Sequence, residues 1–163
     1  MSIQGDYKMN PKNDYAHVVV NPFVIYIGLG LCAIFLQRTI PLPFISQPSA
    51  ALIGVIIMII SFFFGLPAVM NMLAAKTTPN PHHPTTRLVF SGPYRFSRNP
   101  MYIGLTLLYA GGMAYLQLSW GLLLLPIVIW LITIWVIVPE EKYLEQKFGA
   151  EYIDYKSVVR RWL

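Results

Sequence analysis

Charge is scarce in this chain. Only 12% of its 163 residues are Asp, Glu, Lys or Arg, 56% are hydrophobic, and the mean hydropathy is +0.55. Soluble domains carry about twice that share of charge, which makes a membrane protein the first class to consider. Cysteine is nearly absent: Cys32 alone, inside an apolar run, excludes a disulfide framework and a cysteine cluster for zinc. Also missing are a nucleotide-binding glycine pattern after a strand, a Ser/His/Asp arrangement, an internal repeat and any low-complexity tract. Histidine is too sparse for a metal centre: His17 suits the headgroup level, and His82 and His83 sit among prolines in a polar loop. The net charge of +5 raises nucleic acid as a partner. The basic residues, however, are thinly spread between hydrophobic runs, which fits membrane flanks and not a nucleic-acid surface.

What is abundant is long apolar sequence. Residues 18–36, 50–70, 101–118 and 120–138 each approach the roughly 20 residues needed to cross a bilayer. The expected fold is all-α, a polytopic membrane bundle of about four spans forming one domain over 1–163. Only Ser119 separates the last two runs, so a tight hairpin is expected, or one of them is tilted or partly re-entrant. The first run is too long for a cleavable signal, follows a leader of mixed charge and precedes no A-x-A site, so it should remain as an anchor. With four spans, both termini and the middle loop share one side, and that side collects every Lys and Arg but Arg38. The positive-inside rule makes it the cytoplasm.

Beyond residue 138 the pattern changes. Leu144, Phe148, Tyr152, Tyr155, Val159 and Trp162 recur at spacings of three and four, one stripe of an amphipathic helix that Gly149 should bend or break. Such a helix lies on the headgroups or folds back over the bundle. The glycine pairs Gly111-Gly112 and Gly28-x-Gly30 fall inside helices and suit close helix packing.

Polar residues without an evident solubility role gather at the outer ends of the hairpin. Two adjacent carboxylates, Glu140 and Glu141, oppose the dipole of a helix that ends there, unless the helix continues or a cation pairs with them. Hairpin geometry brings them near Arg95 and Arg98. Opposite charges so placed form either a structural salt bridge or the two poles of a site for a zwitterion.

The segments LVFSGPYRFSRNPMYIG and EEKYLEQKFGAEYIDYKSVVRR, in this order and one hairpin apart, resemble the isoprenylcysteine carboxyl methyltransferase family and its phospholipid methyltransferase relatives. The resemblance covers residues 76–161. It implies an S-adenosyl-L-methionine-dependent methyltransferase acting on a hydrophobic or lipid-like acceptor, with the donor bound at the cytoplasmic face. The residues so implied are Thr86, Arg87, Leu88, Val89, Tyr94, Arg95, Arg98, Asn99, Pro100, Met101, Tyr102, Gly104, Glu140 and Glu141. In that reading a glutamate accepts from the donor's ammonium or ribose, while Arg95, Arg98 or loop amides hold its carboxylate. Tyr94 and Tyr102 line the adenine or the sulfonium, and Gly104 admits close backbone approach. A carboxylate acceptor needs no base. An amine or phenol does, and Glu140, Glu141 and His82 are then the catalytic candidates.

This chain departs from the pattern in three places. Asn99 stands where the prenylcysteine enzymes have histidine, and VVRRWL lacks their proline. Residues 135–138, Trp-Val-Ile-Val, hold no arginine where those enzymes carry one one turn before the glutamates. A hydrophobic acceptor other than prenylcysteine is therefore expected. Two rival readings remain at this level: a sterol-type NADPH-dependent membrane reductase, whose C-terminal half has similar spacing, and a small membrane protein without enzymatic activity.

Overall fold

The computed structural model describes residues 14–43, 48–80 and 83–163, and among them the regular structure is entirely helical. Helix α1 spans Pro22–Thr39 and α2 spans Pro48–Ala74. Asn21 starts α1 by accepting the Phe23 N–H at 3.0 Å, and Pro22 occupies the first turn, where its missing N–H leaves no bond unmade. Both helices are long and apolar enough to cross a membrane. Phe23, Ile27, Leu31 and Phe35 line one outward face of α1, as a lipid-facing stripe requires.

The remaining apolar sequence is divided differently from the expectation of two further plain spans. The third run forms α3, Pro100–Tyr115, only 16 residues. Gln117, at φ 56°, turns the chain into a short α4, Ser119–Leu123. Then α5, Leu125–Ile132, passes through a π-helical turn, Thr133–Ile137, into α6, Val138–Phe148. The physical cause of the irregularity is Pro139. It brings no N–H to the carbonyl four residues earlier, that of Trp135. That carbonyl accepts from the Val19 N–H at 2.9 Å, which ties the segment before α1 to the helix. Because α6 continues for two more turns, Glu140 and Glu141 sit in its first turn and escape the unfavourable end of a helix dipole.

Helices α2 and α3 pack through paired glycines. A Cβ on Gly104 would lie 2.7 Å from the Gly65 Cα, and one on Gly111 2.7 Å from the Gly54 carbonyl oxygen. Gly111 thus serves the close packing expected of it, whereas Gly112 and Gly28 face open space. Gly104→Val forces the two backbones apart and should cost about 1–3 kcal/mol, read as a lower unfolding midpoint in detergent. The other face of α3 joins α1 and α5 in a core of Ile25, Tyr26, Tyr102, Tyr109, Val128, Ile132, Val136 and Ile137. Tyr26 and Thr106 share a 2.8 Å hydrogen bond across it.

Gly149, at φ 54° and ψ −126°, separates α6 from α7, Ala150–Val158. The break lets the aromatic stripe fold back over the bundle: Tyr152 and Tyr155 are buried, and the Trp162 Nε1–H donates to Thr133 Oγ1 at 3.2 Å.

Candidate functional site

The segment between α2 and α3 is proline-rich yet held by specific bonds. Thr86 is pinned at both ends, its N–H donating to Thr77 Oγ1 at 3.1 Å and its hydroxyl to the Lys76 carbonyl at 2.8 Å. The Thr85 N–H donates to the Tyr143 hydroxyl on α6, which in turn donates to Asp14 Oδ1 at 2.9 Å. Lys147 closes this group, with Nζ 2.6 Å from both Asp14 oxygens. A 3₁₀ turn, Gly92–Arg95, then delivers Tyr94 inward, and the Tyr155 hydroxyl on α7 donates to the Tyr94 carbonyl at 2.7 Å.

Arg98 is the clamp that joins this segment to α6 and the tail. Its Nε and Nη2 donate to Glu141 Oε1 at 3.2 and 2.8 Å, and its Nη1 donates to the Lys156 and Val159 carbonyls at 3.1 and 2.7 Å. Four of its five N–H directions are thereby committed. Arg161 approaches the same carboxylate as a fork, Nε to Oε1 at 3.1 Å and Nη2 to Oε2 at 2.8 Å. The Ser97 hydroxyl and Asn99 Nδ2 both donate to the Arg161 carbonyl at 3.1 Å, and the Arg98 N–H donates to the Arg160 carbonyl. Burial works against a charge on Glu141, but the hydrogen bonds from Arg161 and Arg98 outweigh it and hold its pKa below the ordinary carboxylate value.

Glu140, one residue earlier, has the opposite environment. Among the described residues no cation pairs with it. Its partner is the Tyr102 hydroxyl, which donates to Oε2 at 3.0 Å. Burial, reinforced by the neighbouring Glu141 charge and only partly offset by that hydrogen bond, pushes its carboxyl up to about 7. Adjacent glutamates therefore have separate roles, one a saturated ion-pair centre and the other a carboxyl able to titrate near neutrality.

Glu140 lines a cavity of about 50 Å³ between the 85–102 segment, α6 and α7. Of the residues singled out from sequence, Arg87, Leu88, Val89, Tyr94, Arg98, Asn99, Pro100, Met101, Tyr102, Glu140 and Glu141 line it. Thr86 braces the loop behind it, Arg95 is exposed to one side, and Gly104 packs against α2. His82 lies outside the described residues, and His83 is exposed on the loop. Met72, Thr85, Leu144, Tyr152 and Tyr155 complete the lining. The last three were visible as members of the stripe at helical spacing, whereas Arg161 closes the segment that carries the resemblance but was not singled out as a site residue. The hydroxyl of Tyr94, a residue of the cavity wall, is buried without a protein hydrogen-bond partner, which leaves it free to bond a ligand atom or a water.

An uncharacterized protein of Haemophilus influenzae (strain Rd) is 44% identical over 63 residues, which are 39% of this chain and the whole of that protein. The phospholipid methyltransferase family pattern matches residues 49–151, from the first turn of α2 to the start of α7. That stretch holds both glutamates, the 3₁₀ turn and α3, and the chain belongs to the phospholipid methyltransferase family.

Proposed function

We propose that the protein is an S-adenosylmethionine-dependent methyltransferase whose donor occupies the cavity beneath the 85–102 segment, and whose acceptor is a hydrophobic, lipid-like molecule. The observation that carries this reading is the presence, in one cavity, of a carboxyl with no cation beside it among the described residues and a phenol without a protein partner, Glu140 and Tyr94. The donor carries cationic ammonium and sulfonium groups, a carboxylate and ribose hydroxyls, so the residues present fit it in charge and in hydrogen bonding. Glu140 complements the cationic part, and the Tyr94 hydroxyl takes a polar contact. Arg87, which lines the cavity and is exposed, is better placed to meet the carboxylate than Arg98, whose donors are already engaged. Glu141 shapes the site by holding the tail in place.

Methyl transfer from a sulfonium is an in-line displacement with a built-in leaving group, so alignment and exclusion of water supply most of the acceleration. In this reading the tail and the 85–102 segment provide that exclusion. The protein is multi-pass with both termini on the cytoplasmic side, the donor entering from the cytosol and the acceptor from the bilayer. Calorimetry on detergent-solubilised protein should show binding of S-adenosylmethionine and of its demethylated product, and none of NADPH. Binding of NADPH alone would overturn the methyltransferase reading and favour a reductase.

A further inference from the structure

A second cavity adjoins the first. It holds about 500 Å³ and is bounded by the start of α1 at Asn21 to Phe23, by Ser61 and Gly65 on α2, and by the face of α3 carrying Gly104 and Leu108. Among its described lining residues Asn21, Ser61, Asn80 and Tyr102 carry polar side-chain groups, and the rest are apolar or glycine. Only Met101 and Tyr102 belong to the walls of both cavities. Tyr102 is 4% exposed, and its single hydroxyl proton is directed to Glu140 Oε2 at 3.0 Å. A phenol oxygen that donates one hydrogen bond still has lone pairs with which to accept another. Tyr102 therefore sits where a group in the apolar cavity can be linked to the carboxyl in the polar one.

We infer that the methyl acceptor occupies this apolar cavity, that its nucleophile is a proton-bearing oxygen, nitrogen or sulfur and not a carboxylate, and that Tyr102 is a catalytic residue passing the acceptor's proton to Glu140. The inference rests on the methyltransferase reading above. The bound donor supplies a methyl group from its sulfonium, the pair of the broken S–C bond remaining on sulfur. A lone pair of the acceptor forms the new bond to carbon. The acceptor's proton goes to the Tyr102 oxygen while the Tyr102 proton goes to Glu140, so a carboxylate ends as a carboxylic acid and a cationic donor ends neutral. Charge and protons balance with no further reactant.

The electrostatics run in the direction this relay needs. The groups facing Glu140 are Tyr102 from α3, Tyr94 from the 3₁₀ turn, Tyr152 from α7 and Glu141 beside it, and none of them is cationic. Arg98 and Arg161 are turned to Glu141. A sulfonium in the cavity therefore favours the ionised form of Glu140, and its loss on transfer makes Glu140 more basic as the acceptor gives up its proton.

The test combines a proton count with an acceptor panel. Donor binding is measured by calorimetry at about pH 6.5, just below the Glu140 value, in buffers of different ionisation enthalpy. Wild-type protein should release a proton with S-adenosylmethionine, less with the demethylated product, and none when Glu140→Gln is used. Long-chain alkyl compounds ending in hydroxyl, amine, thiol or carboxylate are then offered with labelled donor. Label should enter the first three classes and not the carboxylate. Tyr102→Phe keeps the ring that lines the donor cavity and should lose roughly 100-fold in kcat, a far larger effect than the change in donor affinity caused by loss of its hydrogen bond to Glu140. Equal proton release by wild type and Glu140→Gln, methylation of the carboxylate, or full kcat in Tyr102→Phe would each overturn the inference while leaving donor binding intact. Failure of donor to bind at all would instead remove the underlying methyltransferase reading.

Discussion

Glu141→Gln should lower the unfolding free energy by about 3–5 kcal/mol, the usual cost of removing one partner from a buried ion pair. Glu141 is 4% exposed and accepts four hydrogen bonds from two guanidinium groups. Glutamine keeps the shape but removes the charge and replaces an acceptor oxygen with a donor nitrogen that faces an arginine. Arg98 and Arg161 are then left uncompensated, and the tail they hold loses its attachment to the 94–99 segment. The effect should appear as a lower thermal midpoint and as faster hydrogen exchange at residues 156–163. Acid should reproduce it. The folded-state pKa of Glu141 lies below its ordinary value of 4.5, so its contribution is present above that value and lost as pH falls through the folded-state one. Unchanged exchange in the tail of Glu141→Gln would show that the clamp contributes little.

The neighbouring substitution should do the reverse to stability. Glu140 has a folded-state value of about 7 against an ordinary 4.5. Between these values the folded state binds more protons than the unfolded one, so stability falls as pH rises from the lower to the higher. Glu140→Gln removes that loss. It should raise the unfolding midpoint at about pH 8, by an effect of up to about 3 kcal/mol, and change it little at about pH 4. Donor binding should suffer in exchange. A hydrogen bond to a charged group contributes about 1.5–3 kcal/mol, so donor affinity should fall by roughly 10- to 100-fold. Wild-type affinity should strengthen as pH rises through the Glu140 value, and the variant's should not. A variant more stable in alkali but weaker in binding identifies a carboxyl kept unpaired for a ligand. Parallel loss of stability and binding would instead mark Glu140 as a structural residue like Glu141.

Much of the site could be read before any coordinates. Apolar runs on either side of residue 119 promised that the outer ends of the hairpin would meet, whereas the prolines of the segment before it left order and disorder both open. The Tyr102–Glu140 and Arg98–Glu141 contacts are that meeting. The stripe at helical spacing left a helix on the headgroups and one folded back over the bundle both open, and the burial of Tyr152 and Tyr155 is that of the second. The fourth apolar run was harder to read, because hydropathy does not register a missing N–H. Pro139 and the turn at Leu124 divide that run into α4, α5, a π turn and α6. The first two apolar runs form continuous helices from Pro22 and Pro48 onward, with Pro67 the one proline inside them beyond the first turn.

The amino-acid order by itself determined the helical class, the affinity for a membrane and the segments from which the cavity is built, since all three follow from local periodicity, composition and spacing. Only the tertiary structure decided which glutamate is neutralised and which is left to titrate. Glu140 and Glu141 are identical in chemistry and adjacent in the chain, but successive helical positions point about 100° apart. One therefore turns to two arginines brought from residues 98 and 161, while the other turns to a phenol at the wall between two cavities. Long-range contacts of this kind set the local electrostatics, and no property of a short stretch of sequence encodes them.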